Sequence, residues 1–399
     1  MEDRRSTLPR YALQCSIIHP RSSSPLPHPH TSTMLPDWVS SVYRPRIAMH
    51  LLKILVLALV GWLANGATTD VSAQTASESM PRKSRGCGLT PPTAPGQSRS
   101  LSLPLDGLTR TYRLHLPTDY DENAPTPIVL NFHGYTGTAE GQERYTQMSQ
   151  HADANGYVVV YPQSTAFQDS TKTITSWNDL TCNASPGPEG PICAADATYR
   201  YPNAPECPPS TDGCNWCSCH DDLGFVEALL DTLESRLCLD LDRVYATGMS
   251  NGGMFVHRLG CSYLADRFAA LAPVAGTLAK GFNCAPEPTT RLSIMNLHGV
   301  RDTVVPMDGS KSSDGFFYLP VTDVIDRWAG VTSQQCEATF VSYPTPVDGT
   351  LAFRCMQRDH CATGAQVVAC TWNGAHTWPG GPEPFGTHVI WTFFMQNPK

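Results

Sequence analysis

The stretch Val244-Tyr-Ala-Thr-Gly-Met-Ser250-Asn-Gly-Gly-Met-Phe255 decides the fold of this chain. An apolar strand leads directly into Gly248-Met-Ser-Asn-Gly252, and a helical pattern follows at once. This order is typical of a nucleophile elbow, in which a sharp turn presents a serine at the end of a strand. Glycine two residues on either side of the serine lets the backbone fold back without a Cβ clash. Because G-x-S-x-G alone recurs by chance, the flanking strand and helix carry the prediction of a serine hydrolase.

Strand-like apolar runs alternate with helical patterns around the elbow, which predicts an α/β fold with a mainly parallel central sheet and helices on both faces. The predicted strands are 127–132, 157–161, 243–247, 268–274, 292–297 and 366–371. The predicted helices are 140–155, closed by Gly156, one that begins at Asp221 or Asp222 and ends near Cys238, 321–328 and 387–395. Residues 177–219 are rich in Pro, Gly and Cys and show no helical or strand-like hydrophobic period. We therefore interpret them as an insertion above the sheet that is cross-linked by disulfides.

A serine at its ordinary pKa is a poor nucleophile, so Ser250 needs a base within hydrogen-bond reach. With an elbow of this kind, the order along the chain is Ser, then Asp or Glu, then His. His376 lies in a loop between the last strand and the last helix, where its ring can reach over the sheet edge. His360 stands among cysteines and His388 falls in the closing helix, and both favour a structural role. His376 is therefore the predicted base.

The predicted acid is Asp302, which orients the base. It lies just past the carboxyl end of the strand 292–297, at the same sheet edge as the elbow. The alternative is a loop aspartate that caps its own turn, as aspartates often do. Asp323 and Asp326 fall within a predicted helix and are weaker candidates.

Two backbone N–H groups are predicted to form an oxyanion hole. One belongs to Asn251, which follows the serine at a helix start, where the helix dipole favours negative charge. The other comes from the loop His133-Gly134-Tyr135 after the strand 127–132, with Tyr135 as the predicted donor. We expect the imidazole of His133 to border the substrate as a positioning group and not as a second base.

Cysteine usage indicates an oxidising compartment. Cys15 stands alone near the start, and fourteen cysteines lie between Cys87 and Cys370, an even number that allows seven disulfides. The close spacing in Cys214-Asn-Trp-Cys-Ser-Cys-His220 could instead suit zinc, but a metal is not expected where other cysteines can pair. Asn183-Ala-Ser185 matches an N-glycosylation acceptor in a Pro/Gly-rich stretch.

The N-terminal part of the chain predicts export. Residues 49–73 combine a short basic head, the apolar run 54–63 and a small-x-small site, which is typical of a secretory signal. The alternative, a membrane anchor, requires about 20 apolar residues. Met49 is then the natural start, and residues 1–48 are either a disordered extension or an upstream stretch that is not translated. Residues 74–86 are predicted to be a flexible segment.

Charge and length indicate which partners and how many domains to expect. The chain has a formal net charge of −8 at pH 7, and its basic residues concentrate near the N-terminus. The chain after its N-terminal part is acidic and has no cluster of basic residues, which argues against nucleic acid or an anionic membrane as partners. Residues 87–399 are long enough for one large α/β domain, which we expect to be a monomer.

Six segments in this order resemble the secreted esterase family of polyhydroxybutyrate depolymerases and the related feruloyl and acetyl-xylan esterases. They are His133-Gly, Ser176-Trp-Asn, Asp221-Asp-Leu-Gly-Phe, Gly248-Met-Ser-Asn-Gly-Gly, His298-Gly-Val-Arg-Asp-Thr-Val-Val and His376-Thr-Trp-Pro-Gly-Gly. The resemblance implies an α/β-hydrolase that cleaves esters without a cofactor through Ser250, Asp302 and His376. It also implies that Trp378 borders the acyl or sugar pocket. The cysteine-rich insertion before Cys219 is longer than expected of the family and could reshape the substrate entrance.

The natural ester stays open among feruloyl or acetyl esters of plant cell-wall polysaccharide and polyhydroxyalkanoate. Polyester depolymerases of this family usually carry a separate polymer-binding domain. The sequence shows no segment that resembles one, and this favours the cell-wall esters. A serine peptidase is a further alternative, because Gly-x-Ser-Asn-Gly-Gly also resembles the elbow of prolyl-oligopeptidase-like enzymes. A carbohydrate-binding protein on an inactive hydrolase scaffold would have no need to keep three triad residues in order.

Overall fold

The computed structural model describes residues 81–168, 173–181, 185–197, 207, 214–344, 352–380 and 385–399. The strands are β1 (Ser98–Leu105), β2 (Leu108–His115), β3 (Thr126–Phe132), β4 (Val158–Pro162), β5 (Ala166–Gln168), β6 (Thr173–Thr175), β7 (Leu239–Met249), β8 (Ala270–Val274), β9 (Ser293–Gly299), β10 (Phe340–Ser342), β11 (Arg354–Arg358) and β12 (Val367–Trp372). The α-helices are α1 (Ala139–Thr146), α2 (Met148–Asn155), α3 (Asp222–Glu234), α4 (Asn251–Gly260), α5 (Val321–Ala329) and α6 (Phe385–Met395), and Ala265–Arg267 forms a 3₁₀ turn.

One sheet holds all of these strands except the hairpin β5–β6. Its order is β1-β2-β4-β3-β7-β8-β9-β12-β11-β10. The six strands from β4 to β12 in this order are mutually parallel, and antiparallel pairs stand at both ends. Because parallel strands end at a common edge, the residues that follow β3, β7, β9 and β12 are brought together there.

Two apolar layers lie on opposite faces of the sheet. On one face, α3, α4 and α5 bury side chains such as Leu229, Phe255 and Trp328 against the sheet. On the other, α2 and α6 form a layer in which Trp391 stacks on Tyr157 with ring centroids 3.9 Å apart. Helices on both faces of a mainly parallel sheet confirm the predicted α/β-hydrolase fold class.

The predicted helix 140–155 is two helices. Gln147 has φ of 51°, which ends α1 as its C-cap while its N–H donates to the carbonyl of Glu143. A residue in the left-handed region interrupts the α-helical hydrogen-bond ladder, and α2 restarts directly after it. Gly156, with φ of 68°, closes α2 as predicted.

The segment 74–86, predicted to be flexible, differs from that expectation at its end. Ser84 is buried, and its hydroxyl accepts from the N–H of Leu239 while its own N–H donates to the carbonyl of Leu239. Arg82 pairs with Asp242 at 2.6 Å. The folded domain therefore begins before Cys87, and these residues pack against the first residues of β7.

Six disulfides link described cysteines. The pairs are Cys87–Cys238, Cys193–Cys214, Cys207–Cys219, Cys261–Cys284, Cys336–Cys361 and Cys355–Cys370. Because Cys214 and Cys219 are both in disulfides, neither can supply the thiolate that the zinc alternative needs. The other members of the fourteen are Cys217, which is buried, and Cys182, which lies outside the described residues together with Asn183 of the glycosylation pattern.

In the part of the chain that the structure describes, none of the helices combines the length and the apolar character needed to cross a bilayer. The predicted signal segment 49–73 and the preceding extension lie outside the described residues.

Candidate active site

Ser250 lies on the turn between β7 and α4, at the carboxyl edge of the sheet. Its backbone adopts φ of 57° and ψ of −124°, a region that non-glycine residues rarely occupy. The turn is held in place because the N–H of Ser250 donates to the carbonyl of Val274 at 2.9 Å. The local strain turns the hydroxyl out of the sheet, as expected of a nucleophile elbow.

Gly252 is required by close backbone contact. A Cβ at this position would lie 2.5 Å from the carbonyl oxygens of both Phe132 and His133, at the end of β3. Gly248 is similarly crowded, since its Cβ would meet the carbonyl oxygen of Gly252 at 2.7 Å. The two glycines thus let α4 start directly against the end of β3.

Replacing Gly252 with alanine is expected to lower the free energy of unfolding by about 1–3 kcal/mol, because backbone atoms must move to admit the methyl group. It should also reduce esterase turnover, since the elbow shifts against the loop after β3. Urea unfolding and kcat for 4-nitrophenyl acetate would measure both effects. Gly330→Ala is the control, because its φ is −64° and the nearest atom to its Cβ is 3.2 Å away. Equal effects of the two substitutions would contradict the close-contact argument.

The structure brings the three predicted triad side chains together. Ser250 comes from the end of β7, Asp302 from the loop after β9 and His376 from the loop after β12. His376 Nε2 lies 2.9 Å from Ser250 Oγ, and His376 Nδ1 lies 2.7 Å from Asp302 Oδ2. These are hydrogen-bond distances, so the hydroxyl, the imidazole and the carboxylate form one continuous chain.

Asp302 is held as an anion. Burial alone would raise its pKa, but hydrogen bonds from His298, from His376 and from the N–H of Val305 hold the pKa well below its ordinary value. Its second oxygen, Oδ1, accepts from the N–H groups of Val304 and Val305, each at 2.9 Å. The oxygen Oδ2 is therefore fixed toward the ring of His376, which keeps the proton of the neutral ring on Nδ1.

The predicted oxyanion donors flank the serine. Asn251 is the first residue of α4, and the first N–H groups of a helix have no acceptor within the helix. On the other side, Gly134 approaches so closely that a Cβ there would lie 3.3 Å from Ser250 Cβ, and Tyr135 follows it in the cavity lining. A carbonyl oxygen placed next to Ser250 would thus lie between a helix start and the loop after β3.

His133 is a fully buried, neutral ring that supports this loop. Its Nδ1–H donates to the carbonyl of Gly134 at 2.7 Å, and its Nε2 accepts from the N–H of Ser164 and from Gln163 Nε2. Burial lowers its pKa to about 4. Because both ring nitrogens are occupied, the contacts favour the predicted positioning role over a second base.

This burial predicts a pH effect on stability. Between pH 4 and 6.5 the folded chain keeps His133 neutral while the unfolded chain binds a proton there, so stability is full above pH 6.5 and falls as the pH drops to 4. Over that window the loss from this ring is about 3 kcal/mol. Urea unfolding across the window would measure it. His133→Gln should reduce the pH slope but not abolish it, because burial also lowers the pKa values of His151 and His257. His360→Gln, at an exposed ring, should leave the slope unchanged, and an unchanged slope in His133→Gln would contradict the argument.

A cavity of about 420 Å³ opens beside Ser250. His133, Tyr135, Ser250, Asn251 and His376 all line it, as do aromatic and apolar side chains that the sequence analysis did not single out, namely Tyr145, Trp216, Met249, Met254, Val304, Val305 and Tyr318. A concave, mainly apolar cavity with a few convergent polar groups is typical of a small-molecule site.

Trp378 differs from the expectation. Its indole is buried, its Nε1 donates to Thr387 Oγ1 at 3.2 Å, and it is absent from the described residues that line the cavity. Its backbone N–H donates to the hydroxyl of Tyr145, and Tyr145 is the residue that reaches the cavity. Trp378 faces α6 because the loop after β12 turns the ring inward, so its link to the substrate is indirect.

The histidines set aside in the sequence analysis lie away from the serine. His388, on α6, contacts His151 of α2 at 3.3 Å. The side chain of His360 is 77% exposed and lies beside Asp359. Of the late histidines, His376 is the one hydrogen-bonded to Ser250.

Comparisons with known proteins address what this arrangement does. No family model matches the chain. It is 27% identical to the putative esterase NocK of Nocardia uniformis subsp. tsuyamanensis, over 75% of this chain and 79% of the relative. It is 24% identical to feruloyl esterase C of Emericella nidulans, over 84% of this chain and 96% of the relative. The chain is an α/β-hydrolase of the carboxylic ester hydrolase class. Among solved structures, this ester hydrolase is similar to the acetyl xylan esterase from Aspergillus awamori, with a TM-score of 0.46, 15% identity and coverage of 75% and 99%.

Proposed function

We propose that Ser250 is the nucleophile of this ester hydrolase, His376 its general base and Asp302 the residue that orients the base. The observation that carries the proposal is the pair of hydrogen bonds that joins the three side chains, at 2.9 and 2.7 Å. The nucleophile and base are within reach of each other, and the base is in turn oriented by a third group.

The proposed reaction proceeds in two halves. His376 takes the proton of Ser250 as its oxygen attacks the ester carbonyl, and then gives that proton to the leaving alcohol as the carbon–oxygen bond breaks. Water, deprotonated by His376, then attacks the acyl carbon, the bond from that carbon to Ser250 Oγ breaks, and His376 returns the proton to Ser250 as the acid leaves. In both halves the N–H groups of Asn251 and Tyr135 would stabilise the negative oxygen, and loss of one such donor typically costs about 3 kcal/mol of transition-state stabilisation.

For the acyl group, the proposal is a hydroxycinnamoyl ester such as a feruloyl ester of cell-wall polysaccharide. The cavity beside Ser250 measures about 420 Å³ and includes the rings of Tyr135, Trp216 and Tyr318, which gives room and flat surfaces for an aromatic acid. An acetyl group would leave most of this apolar space unfilled. The names of the feruloyl esterase relatives agree with this choice.

A substrate panel tests the proposal. Esters of 4-nitrophenol with ferulic and acetic acid share a leaving group, so their kcat/KM ratio reports the acyl preference alone. We expect the feruloyl ester to have the higher kcat/KM, and methyl ferulate to be cleaved faster than polyhydroxybutyrate film or an anilide. Faster anilide cleavage would favour the peptidase alternative, and faster hydrolysis of the film would favour the polyester depolymerase.

We also propose that the chain is exported and cleaved near residue 73. The six disulfides between described cysteines fit an oxidising compartment. N-terminal sequencing of protein from the culture medium should begin shortly after residue 73. A mature protein that retains residues 49–73, or that stays in the cytosol, would contradict this.

A further inference from the structure

Asp179 is a buried carboxylate, 2% exposed, that touches both the elbow and the wall of the cavity. Its Oδ2 accepts from the indole Nε1 of Trp216 at 2.8 Å and from Asn251 Nδ2 at 3.2 Å. Trp216 lines the cavity, and Asn251 directly follows the nucleophile. One carboxylate oxygen therefore connects the cavity wall to the serine turn.

The other contacts of Asp179 fix the orientation of this carboxylate. Its Oδ1 accepts from the N–H of Thr181 at 2.8 Å and from the hydroxyl of Thr181 at 2.7 Å. The amide of Asn251 is oriented too, because its Oδ1 accepts from the N–H of Trp177 at 2.7 Å. Cys217 Sγ also lies 3.9 Å from Asp179 Oδ1, so all five hydrogen bonds to the carboxylate come from donors, which is the pattern that a carboxylate anion requires. They oppose the burial that raises the pKa of Asp179.

Trp216 is held on its other sides by the cysteine-rich insertion and by the strand-like segment after residue 315. Its ring packs edge-on against Phe316, with centroids 5.0 Å apart, and lies 6.3 Å from Tyr318. Cys214 and Cys219 on either side are tied by disulfides to Cys193 and Cys207. These contacts support the ring, whereas the hydrogen bond to Asp179 sets its position relative to Ser250.

We propose that Asp179 is a positioning residue that sets acyl specificity, because it fixes Trp216 in the wall of the cavity that opens beside Ser250. The inference rests on the proposed function, with Ser250 as nucleophile. An acetyl group fills little of the cavity of about 420 Å³, so its hydrolysis depends mainly on the elbow. A hydroxycinnamoyl group must fill the space between the serine turn and the ring of Trp216. Its hydrolysis therefore depends on the separation of Ser250 and Trp216.

Two substitutions separate these contributions. Trp216→Phe keeps an aromatic ring but removes the Nε1–H donor, and so releases the wall without touching Asn251. Asp179→Asn replaces one oxygen with an NH₂ group, which must face either the donors of Trp216 and Asn251 or those of Thr181. Since a hydrogen bond to a charged group is worth about tenfold or more in an equilibrium, either change should be measurable.

The readout is kcat/KM for 4-nitrophenyl ferulate divided by that for 4-nitrophenyl acetate. In Trp216→Phe we expect this ratio to fall about tenfold. Asp179→Asn should lower the ratio by a similar factor and also lower kcat for the acetate, because Asn251 is disturbed. The double variant should have the ratio of Asp179→Asn alone, since the two residues share one interaction.

Asp240→Asn is the matched control, because Asp240 is also buried but lies at the opposite end of β7, where it pairs with Arg243. Its ratio should equal that of wild type. An unchanged ratio in Trp216→Phe, or ratio losses that add in the double variant, would overturn the positioning role even if Asp179→Asn fails to fold. Failure of the proposed function would look different, since wild type itself would then hydrolyse neither ester through Ser250.

Discussion

Replacing Ser250 with alanine is expected to lower kcat for 4-nitrophenyl acetate about a millionfold, as in other serine hydrolases that lose the nucleophile. Ser250 Oγ is the atom that accepts the acyl group, and among the described hydroxyls it is the one hydrogen-bonded to His376 Nε2. Alanine removes the oxygen and leaves the ring without its partner. The fold should persist, because the turn is held by backbone contacts such as Ser250 N–H to the carbonyl of Val274.

The control for this substitution is Ser100→Ala, at an exposed position on β1. Its kcat should match that of wild type, and both variants should unfold at the wild-type midpoint. A Ser250→Ala enzyme with more than about one hundredth of wild-type kcat would mean that another group attacks the ester.

Replacing Asp302 with asparagine is expected to lower kcat about ten-thousandfold, the size of the loss seen when a triad aspartate becomes an amide. The two backbone N–H groups of Val304 and Val305 need an acceptor, so the amide oxygen takes the place of Oδ1. The NH₂ group then faces His376 Nδ1, which must accept instead of donate. The ring proton moves to Nε2, where the ring can no longer take the proton of Ser250.

Asp308→Asn is the matched control, because Asp308 lies in the same loop and accepts local hydrogen bonds from the N–H and the side chain of Ser310. It should keep wild-type kcat. Stopped assays with the same ester would measure both variants. A loss of less than about tenfold in Asp302→Asn would show that the carboxylate does not set the tautomer of His376.

The residues at the sheet edge could be anticipated from the sequence because their positions follow from strand order. Ser250, Asp302 and His376 each come directly after an apolar strand, and parallel strands bring such residues to one edge. Local chemistry also predicts Gly156 as the residue that closes its helix and Asp221 or Asp222 as a helix cap. Gly156 has positive φ, and of the two aspartates Asp221 is the cap, since it accepts from the N–H of Gly224.

The hairpin β1–β2 was missed, although a local signal was present. Leu101, Leu103 and Leu105 alternate with other residues, and the strand ends at Asp106-Gly107, where both residues have positive φ. Asp-Gly between alternating runs is a strong hairpin signal. The alternation is easily overlooked because the hairpin lies at the edge of the sheet and half of its side chains are exposed.

The positions of Trp216 and Trp378 could not be read from the sequence. Trp216 reaches the cavity because the disulfides of Cys214 and Cys219 and the carboxylate of Asp179 hold the segment 214–219 in place, and cysteine pairing is not deducible from spacing. Trp378 lies two residues after His376, but the loop points its ring into the core, where the hydroxyl of Thr387 accepts from the indole N–H. Both outcomes depend on contacts between segments far apart in the chain.

Labelling with a fluorophosphonate tests the central claim most directly, because the probe reacts covalently with a serine that a neighbouring base activates. The folded protein should take up one probe per chain, on the peptide that contains Ser250, and Asp302→Asn should take it up far more slowly. Uptake on another residue, or none by folded protein that still hydrolyses 4-nitrophenyl acetate, would contradict the account.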